Sequence, residues 1–306
     1  MNENDLVEQP VDSEKLWVWS THLYNIDLDG GGPLSIGPFE IVRNPPIEEF
    51  RKVQERLETV YDGQGAADIV MGWHTRRDLW SPYSVELREY DPSSSISAIG
   101  EQFDELVTIL RLWKPGGVGR SGWFGRMRRG DASQVTSSPK PTLRGGRWTL
   151  PLEEAPEFRR FFDELFPMNS SQFSLATARF DSYFSRPDDL DAFIDLLVAL
   201  EAAFGDRSPG ETGYKIALRA ALFLEDDVQE RERTFKLLKA AYDKRSGVLH
   251  GRAVDADWVR DNVAEVEQRV RRALVAFARL EKGGELVPQA EQWNGHLFWD
   301  PDRWES

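Results

Sequence analysis

RPDDLDAFIDLLVALEAAFG, residues 186–205, decides the fold of the second half of this chain. Acids stand in its first turn and Gly205 ends it, which is how a helix begins and stops. Its apolar residues nearly encircle the helix axis. A helix of that kind is enclosed by others, so this one is predicted to lie at the centre of a bundle. Helical patterns continue on both sides. APEFRRFFDELFP is a short helix stopped by Pro167, and NSSQFSLATARFDSYF opens on cap-forming residues and carries Phe173, Ala176, Phe180 and Tyr183 at helical spacing. GYKIALRAALFL and VQERERTFKLLKAAYDKRS follow. In DADWVRDNVAEVEQRVRRALVAFARLEK, Val259, Val263, Val266, Val270, Ala273, Phe277 and Leu280 step by three and four. Residues 151–306 are therefore expected to form an all-α domain of five to six helices. Its tail, QWNGHLFWDPDRWES, is expected to pin the C-terminus back onto the fold.

The first half reads differently. LWVWSTHLYNI is aromatic and β-branched, as strands are, and ADIVMGWH and YSVELREY are further short strands. LSIGPFEIV is a strand candidate weakened by Pro38. PPIEEFRKVQERLETVY and ISAIGEQFDELVTILRLW carry helical stripes, though the end of the second, TILRLW, suits a strand equally. Residues 1–113 are expected to be an α+β domain built on a small antiparallel sheet. Residues 114–150 are rich in Gly, Ser, Pro and Arg, which describes a loop or linker.

Composition narrows the chemistry. The chain has 306 residues and no cysteine, which removes disulfides, zinc-thiolate sites and a Cys nucleophile. No apolar run approaches the roughly 20 residues that cross a bilayer. The N-terminal stretch is polar and acidic, unlike a secretory signal, so a cytoplasmic location is expected. A net charge of −14 opposes non-specific binding to polyanions. Yet residues 110–150 hold nine Lys or Arg against one acid, leaving that segment at +8 and the remainder at −22. Within it, Arg120, Arg126, Arg128 and Arg129, with Trp123 and Phe124 between them, would suit RNA phosphates and stacked bases. The alternative is a solvated linker.

Most familiar motifs fail. GVGRSG, residues 117–122, matches G-x-G-x-x-G, but a poor helix follows and no acid stands about 20 residues on. His22, His74 and His296 lack the spacing of metal ligands, so neither metal nor cofactor is expected. Glu225, Asp226 and Asp227 read as a helix end. The serine-hydrolase G-x-S-x-G is absent. That leaves YDKRSGVLHG, residues 242–251, where Arg245 and His250 stand five apart, about 140° around a helix. As structure, they close a helix near Gly247 or Gly251 with cations at its negative end. As chemistry, His moves protons near neutral pH and Arg holds phosphate oxygens, which in principle suffices for metal-independent RNA cleavage.

Three ordered blocks sharpen this. AFIDLLVALEAAFGD, YKIALRAALFLEDDVQERER and LLKAAYDKRSGVLHG resemble the Apea-like branch of the HEPN superfamily over about residues 170–280. The branch's "ALE" helix, "R-A-A-L-L" helix and "Y-x-x-R-S-x-x-x-H-G" ending match Ala199-Leu200-Glu201, Arg219-Ala220-Ala221-Leu222, and Tyr242, Arg245, Ser246, His250 and Gly251. ILRLWKPGGVG also resembles the sheet-ending segment that often precedes such domains. The resemblance implies a helical bundle that pairs as a homodimer and, in many members, cleaves RNA without metal in antiviral defence or toxin systems. It implies that Arg245 and His250 are catalytic, that Glu201 orients the arginine, and that two copies of 242–251 face each other across a dimer axis. Some members instead bind RNA or proteins as regulators without cutting.

Overall fold

The computed structural model describes residues 17–30, 32–44, 81–89, 96–127, 133–135, 140–168, 173–205, 212–249 and 255–285. The expected helix at 45–61, the strand ADIVMGWH, the aromatic tail and the residues Arg128, Arg129, His250, Gly251, His74 and His296 lie outside them. The chain divides into two compact units, one comprising residues 1–106, 119–141 and 149–159, the other 107–118, 142–148 and 160–306. An antiparallel sheet followed by helices is thus the observed arrangement.

The first unit is built on β1 (Trp17–Tyr24), which pairs with β5 (Tyr83–Glu89) on one side and β6 (Gly119–Met127) on the other. With β3 (Leu34–Ile36), β4 (Phe39–Arg43) and β7 (Ser133–Val135), the six strands run in the order β3-β4-β5-β1-β6-β7. Every pairing is antiparallel. β2 (Ile26–Leu28) pairs separately with β8 (Trp148–Leu150). LSIGPFEIV is not one weakened strand but a hairpin: Ile36 faces Phe39, and Gly37, at φ 48°, makes the turn with Pro38. A proline in a turn costs no ladder bond, which is why the strands on either side survive it.

The tract expected as a linker is structured where it is described, because β6 completes the sheet beside β1. Trp123 is buried and meets Trp19 edge-on, with ring centroids 5.3 Å apart. The register slips between Thr21 and Leu23, so Ser121 and Gly122 stand opposite one residue. Thr21 Oγ1 lies 3.1 and 2.9 Å from their carbonyl oxygens, a β-bulge with its carbonyls engaged. GVGRSG therefore leads into a strand rather than a helix, unlike a dinucleotide-binding turn.

Helix α1 (Ile96–Trp113) settles the ambiguity of TILRLW in favour of helix. Leu106, Val107, Ile109, Leu110 and Leu112 are all buried, so apolar contact surrounds its second half. From Val107 on, that half belongs to the helical unit. There Trp148 donates its indole N–H to the Leu110 carbonyl at 2.7 Å. Gly116, at φ 147°, lies so close that a Cβ would come within 2.8 Å of the Trp148 backbone. Only glycine fits there.

The helical unit takes in α2 (Ala155–Leu165) from Arg160 onward and continues through α3 (Ser174–Ser185), α4 (Asp189–Phe204), α5 (Thr212–Leu224), α6 (Val228–Leu249) and α7 (Ala256–Lys282). α4 is central, with Phe193, Leu196, Leu197 and Phe204 wholly buried. Asp188 caps it by accepting from the Leu190 and Asp191 amides at 2.9 and 3.0 Å. Phe204, Phe223 and Phe277 form a cluster with centroids 5.0 to 5.7 Å apart. Glu225 and Asp227 have separate tasks. Asp227 caps α6, while Glu225 accepts from Arg272 and Thr234. Burial opposes its charge, but those two donors hold the Glu225 carboxyl below its ordinary pKa.

Candidate functional site

α4 and α6 are joined by two polar rungs. Two turns before the end of α4, the Leu197 carbonyl accepts from the Tyr242 hydroxyl at 3.0 Å. A turn further along both helices, Glu201 pairs with Arg245 Nη1. Residues 197 and 201 are four apart and 242 and 245 three apart, so each pair lies on one helix face. Tyr242 is buried, and burial followed by the Glu201 charge pushes its hydroxyl well above the ordinary range. It is a structural hydroxyl, not a proton carrier. The side chains of Arg245 and Glu201 are 20% and 28% exposed, so the guanidinium is braced yet reachable. Its Nε–H is buried with no hydrogen-bond partner among the described residues. A fixed arginine with donors to spare can take an anionic oxygen.

Gly247 does not break the helix. α6 runs through it to Leu249, so Arg245 lies inside the last turns. A glycine near a helix end is tolerated where the ladder holds. Ser246 is exposed. Arg219, the arginine of the second block, is buried and donates to the Phe204 carbonyl at 2.9 Å. It satisfies the end of α4 rather than facing a ligand.

A clasp that the motif does not contain lies beside the site. Lys244 pairs with Asp255 at 2.7 Å and its ammonium stands 5.9 Å from the Trp258 ring centroid. Asp255 also caps α7 by accepting from the Trp258 amide at 3.0 Å. The ends of the chain flanking His250 and Gly251 are thereby tied together. Lys244 next to Arg245, with a cap-type Asp eleven residues on, was the only signal available in the sequence.

The arginines assigned to RNA divide. Arg120 sits on β6 and holds Asp104 with Nε and Nη2 at 2.8 Å, while its other N–H groups reach the Ser121 and Gly100 carbonyls. Its charge is already answered. Arg126 is placed on β6 by its backbone. Other cations of the basic tract serve the fold as well. Arg111 pairs with Asp181 at 2.7 Å and donates to Val118, and Arg144 binds Asp189 and stacks 5.3 Å from the Tyr183 ring centroid. His22 is fully buried in β1 beside Ser84 and Asn44, a core histidine. Among the described residues no cluster of His, Asp and Glu could hold a metal ion, and no helix is long and apolar enough to cross a membrane.

No protein-family model matches the chain, and neither a curated protein nor a solved structure matches it significantly. The class that the coordinates define is an antiparallel α+β unit followed by a helical unit.

Proposed function

We propose that this chain is a metal-independent endoribonuclease of the HEPN type, of the antiviral-defence or toxin kind, acting as a homodimer in the cytoplasm. The observation that carries the reading is the Glu201–Arg245 pair, which links the "ALE" and "Y-x-x-R-S" blocks in space and braces an arginine at a reachable surface. The two blocks lie 44 residues apart in the chain. In the reaction, the 2′-oxygen of RNA attacks the adjacent phosphorus and loses its proton. The bond from phosphorus to the 5′-oxygen breaks, and that oxygen gains a proton. The products are a 2′,3′-cyclic phosphate and a 5′-hydroxyl. His250 serves the proton transfers, and Arg245 neutralises the charge on the pentacoordinate phosphorane. Tyr242 and Glu201 hold Arg245 in register, and the basic tract assists in holding RNA.

The test is incubation with total RNA in EDTA, beside Arg245→Ala and His250→Ala variants whose fold is checked by circular dichroism. Wild type is expected to cut and leave cyclic phosphate ends, and each variant to lose about 100-fold or more, the scale of a general acid–base group. RNA left intact by wild type but bound by it would replace catalysis with a binding-only regulatory module. Variants that cut like wild type would overturn the site.

A further inference from the structure

A cavity of about 730 Å³ opens in the helical unit, away from Arg245, between the end of α1, α2, α5 and α7. That is the size of a small-molecule site. Its apolar side is aromatic: Trp113 and Phe161, with centroids 5.1 Å apart, and Phe223. Most of the residues that α7 contributes are polar or charged, among them Glu265, Glu267, Arg271, Arg272 and Arg279. Glu267 is only 5% exposed, yet it lines the cavity. One of its oxygens accepts from Arg271 Nη2, and the other has no hydrogen-bond partner among the described residues. Arg271 donates through Nε to the Arg111 carbonyl at 2.8 Å, leaving Nη1 unused among the same residues. Arg272 holds Glu225 through both terminal nitrogens, and Arg279 holds Glu164 through Nε and Nη2. Each has at least one N–H group to offer, and both are substantially exposed at the rim.

An occupant must satisfy three demands at once: a flat ring for the aromatic residues, paired N–H donors for a buried carboxylate, and acceptor oxygens for the arginine N–H groups that Glu225 and Glu164 leave unused. An adenine ring presents an acceptor nitrogen beside its amine, which a carboxylate repels. A guanine ring presents two adjacent N–H donors, the bidentate complement of a carboxylate. We propose that the cavity is a guanine-nucleotide site, with the ring against Trp113 and Phe161, its N–H edge on Glu267, and its phosphate on Arg279 and Arg272. The site is independent of the ribonuclease reading.

Calorimetric titration of the whole protein with guanosine monophosphate tests this, with adenosine monophosphate, guanosine and inorganic phosphate alongside. pH 8 is the right condition. Burial pushes Glu267 up to about 7 despite Arg271, and Tyr183 of α3 is the other titrating group whose charge couples to it. The guanine nucleotide is expected to bind about tenfold or more tightly than the adenine one, the worth of one charged hydrogen bond. Glu267→Gln should erase that preference. Arg279→Ala, an exposed change, should weaken the nucleotide about three- to tenfold and leave guanosine unchanged. No binding by wild type at millimolar nucleotide, equal binding of the two bases, or an Arg279→Ala variant that binds the nucleotide like wild type would each overturn the proposal.

Discussion

Burial and ion pairing pull Glu267 in opposite directions, and burial wins: its carboxyl is raised from 4.5 to about 7 although Arg271 sits one turn away on α7. The same burial lowers Arg271. Buried pairs behave this way when the loss of hydration outweighs the attraction. The consequence for stability has a definite sign. Between pH 4.5 and 7 the folded chain holds the Glu267 proton and the unfolded chain releases it. The contribution is therefore fully present below pH 4.5 and is lost as pH rises through 7. A shift of that size corresponds to about 3 kcal/mol. Glu225 acts in the opposite sense, since its carboxyl is lowered and its stabilisation is lost as pH falls. Glu267→Gln separates the two. In urea denaturation at pH 5, 6, 7 and 8, wild type is expected to lose stability relative to this variant as pH rises, by up to about 3 kcal/mol. Parallel curves for the two proteins would contradict it.

At the scale of elements, the pairing of α5 with α6 depends on Gly213. A Cβ there would come within 2.7 Å of the Tyr242 Cβ and 3.0 Å of its Cγ. Tyr242 is buried and tied to Leu197, so it cannot retreat. Gly→Ala in a helix ordinarily gains up to about 1 kcal/mol. Overpacking costs about 1–3 kcal/mol, so Gly213→Ala is expected to destabilise by about 1–2 kcal/mol, read from the denaturation midpoint. An unchanged or higher midpoint would mean that the helices separate freely. Such close approaches mark the limit of what the sequence could tell. Periodicity located α3, α4 and α7, because apolar spacing follows from which side is buried. It could not see that Gly37-Pro38 turns a hairpin, or that glycine-rich GRSGWFGRM is a strand. That strand is made by backbone pairing to β1 on one side and β7 on the other, and composition carries no trace of its partners. The Arg245–Glu201 pair was legible because three ordered blocks announced it. Glu267 was not, since Glu265 and Glu267 look alike in EVEQRVRR and only packing separates a half-buried one from a buried one.

For the whole molecule, charge and assembly are opposed. Each chain carries −14, and three of the cations that could offset it locally, Arg111, Arg120 and Arg144, are bonded within the fold. Two such chains repel one another, the more so at low ionic strength, where screening lengths are about 10 Å at 0.1 M salt and longer below it. If the ribonuclease site is completed by a second copy, the working enzyme forms against that repulsion. Added salt should then tighten the dimer while loosening RNA, whose binding falls as counterions compete. The two effects are separable. Sedimentation velocity without RNA should show the dimer fraction rising with salt at fixed protein concentration. Cleavage per protomer should fall on dilution through the concentration where sedimentation shows dimer giving way to monomer, with the total rate then following the square of concentration. Cleavage that stays constant per protomer in a solution shown to be monomeric would place the whole site within one chain, and the arginine and histidine would have to meet on the same helix end.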